Sequence, residues 1–212
     1  MLSKNPMYIV GIAGGSGSGK TTFTEKITKL VGSPRVAVLS QDSYYLPSPP
    51  ASLRIHGESN FDHPEAFDWP LLKDHLARIK AGNKVPVPTY DYKISSRKAE
   101  VEWIGPCDVL LVEGIFTLWN EEIRSMFDLK VYLHVESDIR FIRRLHRDVR
   151  ERGRSLDQII RQYYDTVRPM YQMYLEPTRK YADIIVGEET DMAADVIASQ
   201  IIRVLNTGKT RS

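Results

Sequence analysis

Short apolar runs alternate with longer amphipathic stretches along most of the 212-residue chain. The apolar runs are rich in β-branched residues, which is typical of strands that a parallel sheet buries on both faces. We predict five such strands, at Tyr8–Ile12, Val36–Leu39, Val109–Gly114, Val131–Val135 and Asp183–Val186. The intervening stretches carry helix start and stop signals, which predict helices over Lys20–Val31, Asp68–Ala81, Ser137–Arg152, Ser155–Met173 and Met192–Leu205. This alternation predicts an α/β fold in which helices flank a parallel sheet.

One region departs from this alternation. The sequence VPVPTYDY, residues Val85–Tyr92, and the segment Lys98–Ile104 predict the two strands of a small antiparallel hairpin. Proline cannot donate a hydrogen bond to a neighbouring strand, so we expect this hairpin to lie outside the main sheet. We place the insertion at about residues 84–104. The sequence shows no internal repeat, low-complexity tract or domain linker, and we predict a single domain over residues 1–212.

Composition and charge exclude several classes of protein. The chain is 42% hydrophobic, which suffices for a sizeable core. Its single cysteine, Cys107, excludes an intramolecular disulfide and agrees with a reducing compartment, so we expect a cytoplasmic location. No segment reaches the roughly 18 consecutive apolar residues of a membrane span. Because the net charge is only +2, we expect neither nucleic acid nor a membrane as partner, and an anionic ligand must be recognised locally.

The stretch GIAGGSGSGKTTF, residues Gly11–Phe23, has the pattern of a phosphate-binding loop. It follows a predicted strand and opens a predicted helix, as the mechanism of such loops requires. Glycines allow consecutive backbone N–H groups to face phosphate oxygens, and the helix N-terminus adds partial positive charge. Lys20, which we expect to face solvent, would reach the β- and γ-phosphates, and Thr21 would bind Mg²⁺. The predicted nucleotide-binding residues are Gly14, Gly15, Ser16, Gly17, Ser18, Gly19, Lys20, Thr21 and Thr22.

Two carboxylates follow predicted strands at the sheet edge that carries the phosphate loop. Glu113 ends the strand DVLLVEG and could hold Mg²⁺ directly or through water; the alternative is a solvated acidic residue at a strand end. Asp42, in SQDSYY, could accept the proton of an attacking hydroxyl group, help to hold the metal, or only cap a turn. The sequence has no Asn-Lys-x-Asp guanine-reading motif, so these features favour a kinase over a GTPase.

Arginine is unusually dense between residues 140 and 154, where seven arginines face only Asp148 and Glu151. Gly153, with an arginine on each side, supplies a hinge typical of a lid that closes over a nucleotide. We predict this lid at about residues 144–162. One alternative is a solvated basic helix face. Another is nucleic-acid binding, which would weaken steeply with salt.

Seven segments together resemble the uridine kinase family, the uridine-cytidine kinase branch of the P-loop kinases. They run in the family's order from about Tyr8 to Val204 and read GIAGGSGSGKTT, SQDSYY, NFDHPEAFD, PTYDY, VEGIF, RRLHRDVRERGRS and YADIIV. The resemblance implies a P-loop kinase fold and transfer of the γ-phosphoryl group of ATP or GTP, with Mg²⁺, to the 5′-hydroxyl group of uridine or cytidine in pyrimidine salvage. It also implies a homo-oligomer, often a tetramer.

The resemblance further implies roles for individual residues. Asp42 matches the general base, and Thr21 and Glu113 match the magnesium-side residues. Asp62 matches the carboxylate that binds the ribose hydroxyls. The lining of the nucleoside pocket and further substrate contacts correspond to Phe61, Tyr90, Arg144 and Gln162. The phosphate and lid arginines correspond to Arg147, Arg152 and Arg154, which join Lys20 and Asp42 in the implied catalytic set.

One substrate position departs from the family pattern. Ser95 stands where family members carry a histidine that reads the exocyclic group of the pyrimidine. Serine can donate and accept, but its shorter side chain requires a bridging water or a shifted base, or else Tyr92 or Lys93 takes its place. Three classes therefore stay open: a pyrimidine nucleoside kinase, a phosphoribulokinase-like or pantothenate kinase-like enzyme acting on another small alcohol, and a nucleotide-binding regulator without an acceptor.

Overall fold

The computed structural model describes residues 7–91 and 96–207. Its strands are β1 (Tyr8–Gly14), β2 (Val36–Ser40), β3 (Arg54–Ile55), β4 (Glu58–Ser59), β5 (Val85–Asp91), β6 (Ser96–Ile104), β7 (Val109–Gly114), β8 (Leu129–Leu133) and β9 (Ile184–Val186). Its α-helices are α1 (Lys20–Val31), α2 (Trp69–Lys80), α3 (Glu121–Arg124), α4 (Ser137–Arg152), α5 (Leu156–Gln162), α6 (Arg168–Met170) and α7 (Asp191–Thr207). Among the described helices, none is long and apolar enough to cross a membrane.

Five strands form a parallel sheet in the order β2-β7-β1-β8-β9. One apolar cluster, with Phe23 and Ile27 of α1 and Ile197 of α7, covers one face. A second cluster, with Leu72 and Leu76 of α2, covers the other. The predicted parallel sheet flanked by helices is therefore confirmed.

The antiparallel hairpin is also confirmed, because β5 and β6 pair with each other in a separate two-stranded sheet. Arg97 on β6 donates to the Asp68 carboxylate at 3.2 Å, which ties the hairpin to the start of α2. The same carboxylate caps α2, since its other oxygen accepts from the Leu71 N–H at 3.1 Å. Asp68 was predicted as the N-cap residue of this helix, and the structure confirms it.

Two of the predicted strands are not buried on both faces. In β7 every residue is buried, but Val38 of β2 is 38% exposed and Ile185 of β9 is 56% exposed. The physical reason is position, since β2 and β9 are the two edges of the sheet, where the flanking helices give less cover. The apolar composition of these strands does not distinguish an edge from a centre.

The single helix predicted over Ser155–Met173 is wrong in its regularity. After α5 the chain continues through wide π-helical turns at Tyr163–Val167 and Tyr171–Leu175, with α6 between them, and then a 3-10 turn at Glu176–Tyr181. Pro169 has no backbone N–H to donate to the preceding turn, which disfavours a regular α-helix there. Sequence periodicity shows a helical region but not the width of its turns.

Candidate active site

The phosphate-binding loop joins β1 to α1, as predicted. Gly17 and Gly19 adopt positive φ angles of 81° and 88°, which side chains rarely tolerate. The Ser18 N–H donates to the Gly15 carbonyl oxygen at 3.0 Å and closes a tight turn. Gly19 is the N-cap of α1, and no described side chain caps this helix. The first N–H groups of α1 are therefore available to an anion, and the helix dipole adds to the attraction.

Lys20 is buried rather than solvent-facing, which corrects our expectation. The residue is only 9% exposed, and its Nζ donates to the Gly15 carbonyl oxygen at 3.2 Å. Burial lowers the pKa of Lys20, while the charges of Glu113 and Asp42 raise it and leave a net decrease. The ammonium group is thus held inside the loop with carboxylates near it, where a phosphate would further favour its charged form.

The two predicted carboxylates lie at the carboxyl ends of neighbouring strands. Glu113 is the penultimate residue of β7 and pairs in register with Ser40, the last residue of β2. The Ser40 hydroxyl donates to the Glu113 carboxylate at 2.8 Å. Burial raises the pKa of Glu113, and the Lys20 charge opposes that increase. Asp42 lies in the 3-10 turn Gln41–Tyr44 that follows β2. Parallel pairing of β2 with β7 is what brings both carboxylates to the phosphate loop.

A cleft of about 120 Å³ brings together most of the predicted site residues. It is lined by Ser16, Lys20, Thr21, Asp42, Phe61, Asp62, Tyr90, Glu113, Arg144, Arg147, Arg152, Arg154 and Gln162, together with Tyr45 and Ile115. A wider cleft of about 760 Å³ shares Thr21, Asp42 and Glu113 with it and adds Thr22. Neither cleft is lined by the remaining predicted loop residues, Gly14, Gly15, Gly17, Ser18 and Gly19. Ser95 lies outside the described residues.

Arginines from α4 and the following turn connect the phosphate loop to α5. Arg144 donates to the Ser16 hydroxyl at 3.0 Å and to the Gln162 side-chain oxygen at 2.9 Å. Arg154 donates to the same Gln162 oxygen at 2.8 Å. Gln162, predicted as a substrate contact, therefore holds two arginines in this structure. Four arginines at one cleft can stabilise the charge of a transferring phosphoryl group.

The opposite part of the cleft combines a carboxylate with aromatic rings. Asp62 accepts a hydrogen bond from the Thr166 hydroxyl at 2.7 Å. Phe61 meets the Tyr45 ring edge-on, with ring centroids 5.4 Å apart, and Tyr90 meets it at 5.2 Å. A carboxylate beside apolar ring faces can bind a ligand that has hydroxyl groups and a planar ring.

Tyr45, Asp148 and Thr166 are among the residues of this site that sequence reasoning missed. Tyr45 was part of the quoted SQDSYY segment, and its aromatic type was the available signal. Asp148 was counted only as a charge that offsets arginines, although its carboxylate is fully buried among them. Thr166 had no signal in its local sequence, because its partner Asp62 lies 104 residues away.

Comparison with known proteins agrees with the family resemblance of the sequence motifs. The model of the phosphoribulokinase/uridine kinase family matches residues 9–194. A uridine kinase from Lactobacillus helveticus is 47% identical over 201 residues, covering 93% of this chain and 95% of its own. A uridine kinase from Lactobacillus johnsonii is 44% identical over 212 residues, with coverages of 99% and 100%. The solved structure of phosphoribulokinase from Rhodobacter spheroides has a TM-score of 0.64 at 17% identity, covering 86% of this chain and 70% of its own, and supports the fold alone.

These relatives confirm the predicted P-loop kinase fold and the predicted phosphotransferase of the uridine kinase type. They do not favour the alternative of a related kinase acting on a different small alcohol. With the family model matched over most of its length, the chain belongs to the phosphoribulokinase/uridine kinase family of P-loop kinases.

Proposed function

We propose that this protein transfers the γ-phosphoryl group of ATP or GTP to the 5′-hydroxyl group of a pyrimidine nucleoside, uridine or cytidine, as a step of pyrimidine salvage. One observation carries the proposal: a single cleft holds Lys20 of the phosphate loop, the Asp42 carboxylate, and Asp62 with Phe61 and Tyr90. A phosphoryl donor and a hydroxyl acceptor bound there would share one site, as direct transfer requires.

The nucleotide side of the cleft fits a triphosphate. Backbone N–H groups at the start of α1 and the buried Lys20 ammonium would bind its β- and γ-phosphates, and the arginines of the cleft would hold the charge that spreads over the transferring group.

The residues present also fit Mg²⁺. The Thr21 hydroxyl, Glu113 and Asp42 line the same clefts, and Mg²⁺ commonly takes one or two carboxylates and completes its shell with water and phosphate oxygens. Among the described residues there is no cluster of three or more histidine, cysteine or acidic side chains that could hold a metal alone. A metal bound jointly by these few side chains and the phosphates of the nucleotide agrees with both the lining of the clefts and the lack of a larger ligand cluster among the described residues. When bound, it would neutralise charge on the phosphates.

On the acceptor side, Asp42 would take the proton of the 5′-hydroxyl group as the oxygen attacks. The Asp62 carboxylate would accept hydrogen bonds from the two ribose hydroxyls, and its contact with Thr166 would fix its direction. Phe61 and Tyr90 would cover the base. Ser95 remains our candidate for reading the base edge, and Arg144 and Gln162, which are hydrogen-bonded to each other, remain candidates for further substrate contacts.

A nucleoside panel with ATP tests the function. We expect a 5′-monophosphate product from both uridine and cytidine, with kcat/KM values within about tenfold, or ~1.4 kcal/mol, because a serine hydroxyl serves a carbonyl or an amino group. We expect kcat/KM for 2′-deoxy nucleosides to be roughly 10²-fold lower, since a carboxylate oxygen of Asp62 would lose its hydrogen-bond partner, the 2′-hydroxyl group. A strong preference for one base would exclude Ser95 as the reader. Absence of any nucleoside product would contradict the function.

Three further features belong to the same proposal. We propose the lid at about residues 144–162, a range that includes Arg144, Arg147, Arg152, Arg154 and α5. A homo-oligomer, in family terms a tetramer, is proposed from the resemblance. A cytoplasmic location is proposed from the single cysteine. Sedimentation of the purified protein and localisation of a tagged copy test the last two.

A further inference from the structure

The Asp148 carboxylate lies at the centre of the arginine cluster. It has no exposed surface, and both of its oxygens are engaged. One oxygen is 2.8 Å from Arg147 and 3.4 Å from Arg152, while the other is 3.5 Å from both Arg144 and Arg154. These are the four arginines that line the cleft. Asp148 itself is not among the residues lining either cleft.

The backbone of Asp148 holds the same region. Its carbonyl oxygen accepts from the Gly153 N–H at the end of α4 and from the Arg154 N–H at 3.1 Å. Gly153 adopts a φ angle of 65°, which ends the helix and turns the chain toward α5. One residue therefore contacts both the turn that carries Arg154 and all four guanidinium groups.

Four guanidinium groups within one cleft repel one another, and a negative charge among them offsets this repulsion. Burial raises the pKa of Asp148, but the charges of Arg144, Arg147 and Arg152 lower it by more, so the carboxylate is held ionised. One negative charge against four positive charges leaves three that a phosphoryl group can meet. The carboxylate thus reduces repulsion without neutralising the cluster.

We infer that Asp148 is a positioning residue for phosphoryl transfer: its buried carboxylate sets the directions of Arg144, Arg147, Arg152 and Arg154 toward the transferring group. This inference rests on the proposed function. A positioning role differs from a role in overall charge in a measurable way. Loss of the negative charge alone would make the cluster more positive and would strengthen anion binding, whereas loss of arginine geometry lowers the rate of transfer.

The test is the substitution Asp148→Asn, which keeps the shape and removes the charge. Asp195→Asn is the matched control, because Asp195 is exposed on α7, lies outside the lid and both clefts, and loses the same charge. We expect kcat with uridine and ATP to fall by roughly tenfold or more in Asp148→Asn and by less than about twofold in the control. Inorganic tripolyphosphate, titrated calorimetrically, should bind the Asp148 variant as tightly as the wild type or more tightly.

A kcat within about twofold of the wild type would overturn the inference. An equal loss of tripolyphosphate affinity and of kcat would overturn it as well, because Asp148 would then act in anion binding. Should the variant lack a cooperative melting transition, the wild type decides: in a crystal structure with tripolyphosphate, all four guanidinium groups should remain around Asp148. Their departure toward the anion would overturn positioning. Failure of the wild type to phosphorylate any nucleoside would contradict the proposed function. The crystal structure with tripolyphosphate would still test whether Asp148 holds the four guanidinium groups in place.

Discussion

The acidic side chains of the cleft differ in the groups that surround them. Glu113 is buried and receives a hydrogen bond from Ser40. Asp62 receives one from Thr166. Asp42 lies in the turn after β2, and its charge opposes the decrease that burial causes in the pKa of Lys20. Asp42 and Glu113 both line the two clefts, and the match of Asp42 to the general base of the uridine kinase family makes it the carboxylate that we propose for this role.

We predict that Asp42→Asn lowers kcat by roughly 10² or more while ATP still binds, because asparagine has nearly the same shape but cannot take a proton. Steady-state kinetics with uridine and a calorimetric titration with ATP provide the two measurements. An unchanged kcat with a raised KM for the nucleoside would make Asp42 a binding residue.

The Asp62–Thr166 hydrogen bond gives a second residue-scale prediction. Thr166→Val keeps the shape and removes the hydroxyl group, so Asp62 loses the contact that orients it. We expect kcat/KM for uridine to fall by about tenfold, as for the loss of a hydrogen bond to a charged group, and the preference over 2′-deoxyuridine to narrow. Thr166→Ser, which restores the hydroxyl group, should recover both. Full discrimination in the valine variant would show that Thr166 does not orient Asp62.

Among the elements, α2 supports the turn that carries Asp42. The Tyr44 hydroxyl, in that turn, lies 2.9 Å from Nδ1 of His75 on α2, and both side chains are buried. Asp68 caps the start of α2 and also binds Arg97 of the hairpin. Helix α2 therefore links the hairpin to the turn Gln41–Tyr44, which carries Asp42, although α2 itself lines neither cleft.

Burial lowers the pKa of His75 below its ordinary value of 6.5. As pH falls below 6.5, His75 is therefore protonated in the unfolded chain before it is protonated in the folded protein. The neutral, buried His75 contributes its full stability above pH 6.5, and this contribution is lost as pH falls below that value. We predict that the free energy of unfolding depends less steeply on pH below 6.5 in His75→Gln than in the wild type. Urea denaturation at several pH values measures this.

His146→Gln is the control for that experiment, because His146 is exposed on α4. It should keep the wild-type pH dependence. If His75→Gln also keeps it, the buried imidazole does not account for the loss of stability on acidification.

At the scale of the whole molecule, strand order assembles the site. With β7 between β2 and β1, the phosphate loop, Glu113 and Asp42 all follow the carboxyl ends of adjacent strands. This is the edge at which open parallel sheets bind ligands. The arginines reach the same edge from α4, which follows β8 on the other side of β1.

We therefore expect nucleotide binding to stabilise the entire fold. Mg²⁺ and ATP at about 100 times the dissociation constant add about 2.7 kcal/mol, which raises the melting temperature of a domain of this size by about 5–10 °C. Lys20→Ala should melt near the wild-type temperature without nucleotide, lose this increase, and lose phosphoryl transfer. Lys29→Ala, an exposed site on the same helix, should keep the increase. Near-normal turnover in Lys20→Ala would contradict the nucleotide site.

Local signals in the sequence determined the elements and the phosphate loop. The bounds of α1 and α4 agree with prediction, because apolar spacing and terminal glycines act within a few residues of each helix. The glycines and Lys20 of the loop were likewise readable, since one strand, one turn and one helix contain the whole motif.

Only the tertiary structure decided which side chains are buried together. Lys20 was expected in solvent and is enclosed, and Ser155–Met173 was expected as one regular helix and contains π-helical turns. The arginine cluster was visible as charge, but not its arrangement around one buried carboxylate. Burial and long-range pairing depend on strand order and helix packing, which bring Asp62 and Thr166 together across 104 residues and leave no trace in the sequence next to either one.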